Sequence, residues 1–132
     1  MAGETDIDKL LALLQPTLLD GEYVFCTLKS GSLPDTAGLA PLATYQEEEG
    51  LSLLLEKSRA DQAGLAYNSV FRGITLSVHS SLDAVGFTAA VATRLAGSGI
   101  PANVIAAHYH DHVFVPANRA DQAMALLTEF ET

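Results

Sequence analysis

The sequence predicts an α+β protein built from two ferredoxin-like (βαββαβ) units in tandem, and three observations carry that reading. Arg59-Ala60-Asp61-Gln62-Ala63 returns sixty residues later as Arg119-Ala120-Asp121-Gln122-Ala123. Leu53-Leu54-Leu55 ahead of the first copy is matched by Val113-Phe114-Val115 ahead of the second. Upstream, Gly31-Ser32-Leu33-Pro34-Asp35-Thr36-Ala37-Gly38-Leu39 parallels Ser80-Ser81-Leu82-Asp83-Ala84-Val85-Gly86-Phe87 once Pro34 is taken as an insertion, and there the offset has fallen to forty-eight. The first copy therefore lacks about twelve residues between those points, close to the mean length of one helix. The first unit is expected to lack its first helix.

The second copy is the clearer one. Phe71 to His79 alternates, with Ile74, Leu76 and Val78 on one face and Thr75, Ser77 and His79 on the other, as a half-buried strand does. Ser81 or Asp83 can cap the next helix by accepting an otherwise unpaired N–H. Phe87, Val91 and Leu95 give that helix one apolar face, and Gly97-Ser98-Gly99 ends it. Asn103 to Tyr109 and Val113 to Pro116 read as a hairpin. The helix from Arg119 to Phe130 that follows turns Ala120, Ala123, Leu127 and Phe130 inward. No closing strand is visible before Thr132, so that strand is either lost or supplied by exchange between units or chains.

The first copy predicts a strand over 22–28, strands near 42–48 and 51–56, and a helix over 59–66. An extra helix leads it, with Thr5 and Asp8 as a capping box, Ile7, Leu10, Leu11 and Leu14 as its apolar stripe, and Pro16 as its stop. That helix is expected to cover the sheet face left bare by the missing one. The units divide as 1–69, a degenerate unit with its leading helix, and 70–132.

Composition narrows the function. The chain has 132 residues, 48% apolar and 17% charged, which suits a packed interior rather than disorder. Sixteen acids against seven bases leave a net charge of −9, a field that repels phosphate backbones and anionic lipid surfaces. Neither nucleic acid nor membrane is an expected partner. The N-terminus lacks the basic and apolar regions of a signal peptide, and no apolar run approaches ~18 residues, so a cytoplasmic location is expected. The single cysteine, Cys26, lies in a strand-like run and reads as a small buried hydrophobe. It excludes an internal disulfide framework or a thiolate cluster.

The stretch Phe71-Arg72-Gly73-Ile74-Thr75-Leu76, Val85-Gly86 opening a helix, Gly99-Ile100-Pro101-Ala102-Asn103-Val104-Ile105-Ala106, and His108-Tyr109-His110-Asp111-His112-Val113-Phe114-Val115 resembles an ACT domain. The glycine-isoleucine step before the second strand and the Asp in the hairpin are similar to ACT units of CASTOR-type arginine sensors and aspartate-kinase regulatory domains. The whole chain is similar to small bacterial tandem-ACT proteins of unassigned activity. The match is good over roughly 71–130, and the first half follows through the internal repeat. The resemblance implies a regulatory module binding an amino acid or related metabolite at the interface between two ACT units. It points to Ser81, Leu82, Asp83, Val85 and Gly86 in the strand–helix loop, with Val104, Ile105 and Ala106 opposite. Asp111 matches the hairpin acid that holds a basic ligand group in the arginine sensors. Those sensors carry a small hydroxyl pair in the second strand where this chain has Ala106 and Ala107, which argues against the same ligand.

Physical chemistry points the same way on its own. A helix N-terminus presents unpaired N–H groups and partial positive charge, a seat for a carboxylate. Gly86 lets a ligand approach the backbone, and Asp83 or Asp111 can receive an α-amino group. The structural alternative is that Asp83 only caps a helix and Gly86 only serves packing.

His108, His110 and His112 recur at strand spacing, which suggests metal ligands on one face. A two-residue turn at Tyr109-His110 or His110-Asp111 sends His108 and His112 to opposite faces, whereas an odd loop brings them together. Zinc sites also want a third protein ligand, and His79 is the only other histidine. No metal or cofactor is assigned from the sequence. Glu47-Glu48-Glu49-Gly50 fills the equivalent hairpin of the first copy as a solvated turn.

No phosphate loop, nucleophile elbow or metalloprotease helix is present, and Ser80 and Ser81 beside His79 do not make a nucleophile–base pair. The chain is therefore expected to be non-enzymatic, with no catalytic residue. Its output would pass through a partner enzyme or a homodimer. The competing readings are an interaction or oligomerisation module without ligand, and a histidine-based metal-binding protein.

Overall fold

The computed structural model describes residues 6–30, 36–78, 83 and 85–129, with the side chains of Ile7 and Asp8 excepted. Among the described residues four α-helices and seven strands run in the order α1 (Ile7–Ala12), β1 (Pro16–Leu18), β2 (Tyr23–Leu28), β3 (Ala43–Glu47), β4 (Gly50–Glu56), α2 (Lys57–Gln62), β5 (Phe71–Leu76), α3 (Phe87–Ala96), β6 (Asn103–Ala106), β7 (Asp111–Pro116) and α4 (Ala120–Thr128). They form two compact bodies, Gly21–Phe71 on one side and Met1–Asp20 with Arg72–Thr132 on the other.

In the first body β2, β4 and β3 make an antiparallel sheet, with Val24 opposite Leu55, Cys26 opposite Leu53, and Ala43 opposite Leu54. Alternation sends Val24, Cys26, Leu51, Leu53 and Leu55 to the face covered by Ala60 of α2, and all six are buried. Among the described residues no α-helix lies between β2 and β3, in line with the twelve-residue deficit. The other face carries Phe25, whose ring meets Phe71 edge-on at 5.3 Å and 87°.

The second body holds the full set of elements. Ile74, Leu76, Val113 and Val115 face Phe87, Val91 and Leu95 of α3 and Ala120, Ala123 and Leu127 of α4. The predicted i, i+4, i+8 stripe of α3 is the buried one, at 3%, 1% and 0% exposure. Of the helix residues expected inside, Phe130 lies outside the described residues.

The missing edge strand comes from the chain's start. β1 pairs antiparallel with β5, Pro16 opposite Leu76, Thr17 opposite Thr75 and Leu18 opposite Ile74, completing the order β1-β5-β7-β6. The leading segment, expected to serve the first unit, packs into the second body instead. Leu10 and Leu14 are fully buried in its core, and the Ser77 N–H donates to the Leu14 carbonyl at 3.1 Å. The physical reason is that a sheet of three strands covered on one face by two helices leaves an unpaired edge and bare apolar surface, and residues 6–20 supply both a strand and leucines. The cap of α1 is Asp6, which accepts from the Lys9 N–H at 3.3 Å. Thr5 and the Asp8 side chain, proposed as its capping box, lie outside the described residues.

The repeated pentapeptide is a structural clamp. Arg59 donates to the Gly38 carbonyl at 2.9 Å, and Arg119 donates to the Ser98 carbonyl at 2.8 Å. Both tie the start of a helix to the turn preceding the body's edge strand. The buried Ala60 and Ala120 sit beside each arginine because only a small side chain fits that close to the sheet. The helices α2 and α3 also end alike. Gly64 and Gly99, at φ +70° and +73°, close them with paired bonds, Gly64 N to Asp61 O and Leu65 N to Ala60 O, then Gly99 N to Ala96 O and Ile100 N to Leu95 O.

Candidate functional site

β5 lies against β7, with the Thr75 Oγ1 meeting His112 Nδ1 at 3.0 Å and a Cβ at Gly73 falling 2.7 Å from the Phe114 ring. The end of β5 is therefore beside the start of β7. β6 runs antiparallel to β7 and finishes at that end too, and α3, which returns from β5 to the start of β6, begins there. The topology thus gathers Asp83, Val85, Gly86, Ala106 and Asp111 at one end of the second body.

Gly86 is the residue that opens α3. It sits at φ +91°, ψ −7°, a left-handed conformation that costs an L-residue about 1–2 kcal/mol, and a Cβ there would meet nothing within 4 Å. Its glycine is required by backbone conformation, not by crowding. Gly86, as the N-cap residue, has no side chain to cap α3, and no acid lies in the helix's first turn. Gly86 stands at the N-cap position, and Phe87, the first residue of α3, is buried in the core. Asp83 is described and exposed, while His79, Ser80, Ser81 and Leu82 lie outside the described residues.

Asp111 opens β7 opposite Ala106 and shares the helix-covered face with Val113 and Val115. It is 6% exposed, the one charged residue among the buried ones described. Val104 and Ala106 share its face by alternation, whereas Ile105, opposite His112, points to the other. Among the predicted residues on β6 and β7, Ile105 is therefore set apart from Val104, Ala106 and Asp111 by the sheet. Val85 is 86% exposed.

The histidine run does not make a three-ligand face. The Ala107 N–H donates to the His110 carbonyl at 3.1 Å, which extends the β6–β7 ladder and leaves His108-Tyr109 as a two-residue turn, one position earlier than expected. His108 packs edge-on against Tyr109 at 4.8 Å. His112 is half-buried, and burial first, then neighbouring His110, holds its imidazole below the ordinary range against the opposing pull of Asp111. Among the described residues no group of three His, Cys, Asp or Glu is placed to hold a metal ion.

Elsewhere, Cys26 is 4% exposed and its thiol is pushed up by burial and then by the charge of Asp61. The first body carries a shallow cleft of about 350 Å³ lined by Gly21, Glu22, Glu56, Lys57, Ser58 and Asp61. Asp61 binds the Tyr67 hydroxyl at 2.6 Å and Lys57 at 2.9 Å, and those bonds hold its carboxyl below the usual range. Sequence reasoning missed this trio; its one sequence signal is the Lys57–Asp61 spacing of four on a helix. The Thr75–His112 bond was foreshadowed by the alternation that put Thr75 and Ser77 on the open face. No described helix is long and apolar enough to cross a membrane.

Known proteins agree with this architecture. Two ACT-domain family models match the chain, over residues 2–72 and 69–129. A solved protein of unknown function from Vibrio cholerae is 52% identical, with 95% of each chain covered and a TM-score of 0.87. The regulatory subunits of aspartate kinase from Thermus thermophilus and Thermus flavus share the fold at 13% and 12% identity, each with a TM-score of 0.65. The first pairing covers 89% of this chain and 97% of the subunit, the second 100% of both. No curated protein matches the sequence.

Proposed function

The chain belongs to the ACT-domain family, and on that premise we propose that it is a non-enzymatic regulatory module that binds an amino acid or a related metabolite. One observation carries the reading. The N-terminus of α3, opened by Gly86, and the buried carboxylate of Asp111 occupy the same end of the second body. A zwitterion needs both poles, N–H groups with partial positive charge for its carboxylate and an acid for its ammonium. Gly86, Val85 and Asp83 would frame the carboxylate end and Val104 and Ala106 would border Asp111, while Ser81 and Leu82, expected beside them, lie outside the described residues. That such a ligand lies where two ACT units meet is an expectation taken from the family. Regulation then passes through a partner enzyme or a second copy of the chain, since the ligand is bound and not transformed.

The test is a thermal-shift screen against the twenty amino acids. A ligand present at a hundred times its Kd adds about 2.7 kcal/mol, which moves the melting temperature by several degrees. One amino acid should produce that shift in the wild type, and Gly86→Val and Asp111→Asn should abolish it. A shift that survives both variants places the ligand elsewhere, and no shift with any amino acid refutes the proposal. A second reading, an interaction module without ligand, is favoured by Tyr45 and Phe25, which are 75% and 37% exposed on the first body. It predicts no shift in the screen together with self-association or capture of a partner through that face.

A further inference from the structure

The geometry points to a site for one imidazole-preferring divalent ion (Zn²⁺, Ni²⁺ or Cu²⁺) on the open face of the second body's sheet, made by His110 and His112 and steadied by Thr75. With His108-Tyr109 as the turn, His110 continues the ladder, so His110 and His112 are alternate residues on one face, roughly 6.7 Å apart along the strand. Two imidazoles at that spacing can close on one ion, and imidazole suits Zn, Ni and Cu.

Two further observations single out this pair. His112 Nδ1 is held 3.0 Å from the Thr75 hydroxyl. In the tautomer that donates from Nδ1, the ring is oriented and Nε2 is left with its lone pair, the outer-shell arrangement that metal-binding histidines share. His110 Nδ1 is buried and has no hydrogen-bond partner, a polar atom that lacks the partner a buried group ordinarily has. Around the pair lie Ile105 opposite His112 and the hydroxyls of Thr17 and Ser77, themselves 3.3 Å apart. The net charge of −9 raises the local concentration of cations. With two protein ligands the remaining positions belong to water, so the ion exchanges and its site is open, unlike a four-ligand structural zinc. His108, turned against Tyr109, is not a ligand.

The test is titration calorimetry of the full chain with ZnCl₂ and NiCl₂. One ion should bind per chain. His110→Ala and His112→Ala should each weaken binding at least tenfold, and Thr75→Val by about tenfold, as loss of an outer-shell partner does. His108→Ala should leave the affinity unchanged. In ¹H–¹⁵N imidazole spectra of the wild type, which need no variant to fold, the ring nitrogens of His110 and His112 should respond before those of His108. Absence of binding up to about 1 mM ion, binding indifferent to His110→Ala or His112→Ala, or a response led by His108 would each overturn the site.

Discussion

Leu14→Ala is the substitution that interrogates the architecture most sharply. Leu14 is fully buried, in one core with Ile74, Leu76, Val91 and Leu127, although it precedes the first body in sequence. Removing its three terminal carbons forfeits about 0.8 kcal/mol each in transfer free energy. The cavity left among rigid neighbours adds to that, giving about 3 kcal/mol, within the usual range for a buried leucine. For a chain of 132 residues such a loss lowers the melting temperature on the order of 10 °C. Leu13→Ala, one residue earlier and 51% exposed, should change it by less than about 2 °C. Amide exchange locates the damage. Protection should fall in β5, α3 and β7, while β2 and β4 keep theirs. Loss confined to β2 and β4, or equal effects of the two variants, would refute the assignment of the leading segment to the second body.

Three other outcomes follow from particular contacts. Gly73→Ala puts a methyl 2.7 Å from the Phe114 ring and 3.0 Å from Leu19, so chemical denaturation should show a loss of about 1–3 kcal/mol, largely recovered by adding Phe114→Leu. Arg119→Ala frees the Ser98 carbonyl and should cost about 1–2 kcal/mol, more than Arg59→Ala, whose side chain is more exposed. Because the folded state holds His112 below its ordinary range, the unfolded chain binds its proton first. Stability should therefore fall as pH drops below about 6.5 and level off once the folded-state value is passed. His112→Gln should flatten that part of the profile, and an unchanged slope would contradict it.

What the sequence makes legible is whatever depends on short-range pattern. Ile74 and Leu76 alternate because a strand between a helical layer and solvent must, and Phe87, Val91 and Leu95 recur because a helix has one buried stripe. The shift in repeat offset predicts the lack of a helix in the first copy, and among the described residues no α-helix lies between β2 and β3. The closing strand was not legible, because Pro16-Thr17-Leu18 is too short to alternate visibly and its partner β5 lies more than fifty residues away. The left-handed Gly86 at the start of α3 was not legible, because a glycine's positive φ follows from where Phe87 must enter the core and not from any local residue pattern. Asp111 stood out as a polar residue ahead of an apolar strand, but that Ile105 faces away from it followed only from the register of β6 on β7. The turn at His108-Tyr109 was likewise a matter of one rung, and that rung decides which histidines share a face.

The central claim is that the end of the second body around Gly86 and Asp111 binds an amino acid. ¹H–¹⁵N correlation spectra of the labelled chain, titrated with each amino acid in turn, address it residue by residue. The account predicts saturable shifts for one amino acid, concentrated at Asp83, Val85, Gly86, Phe87 and Asp111, with residues 43–56 unmoved. Spectra that stay unchanged at millimolar concentrations of every amino acid, or shifts centred on the cleft at Glu22, Lys57 and Asp61, would contradict it.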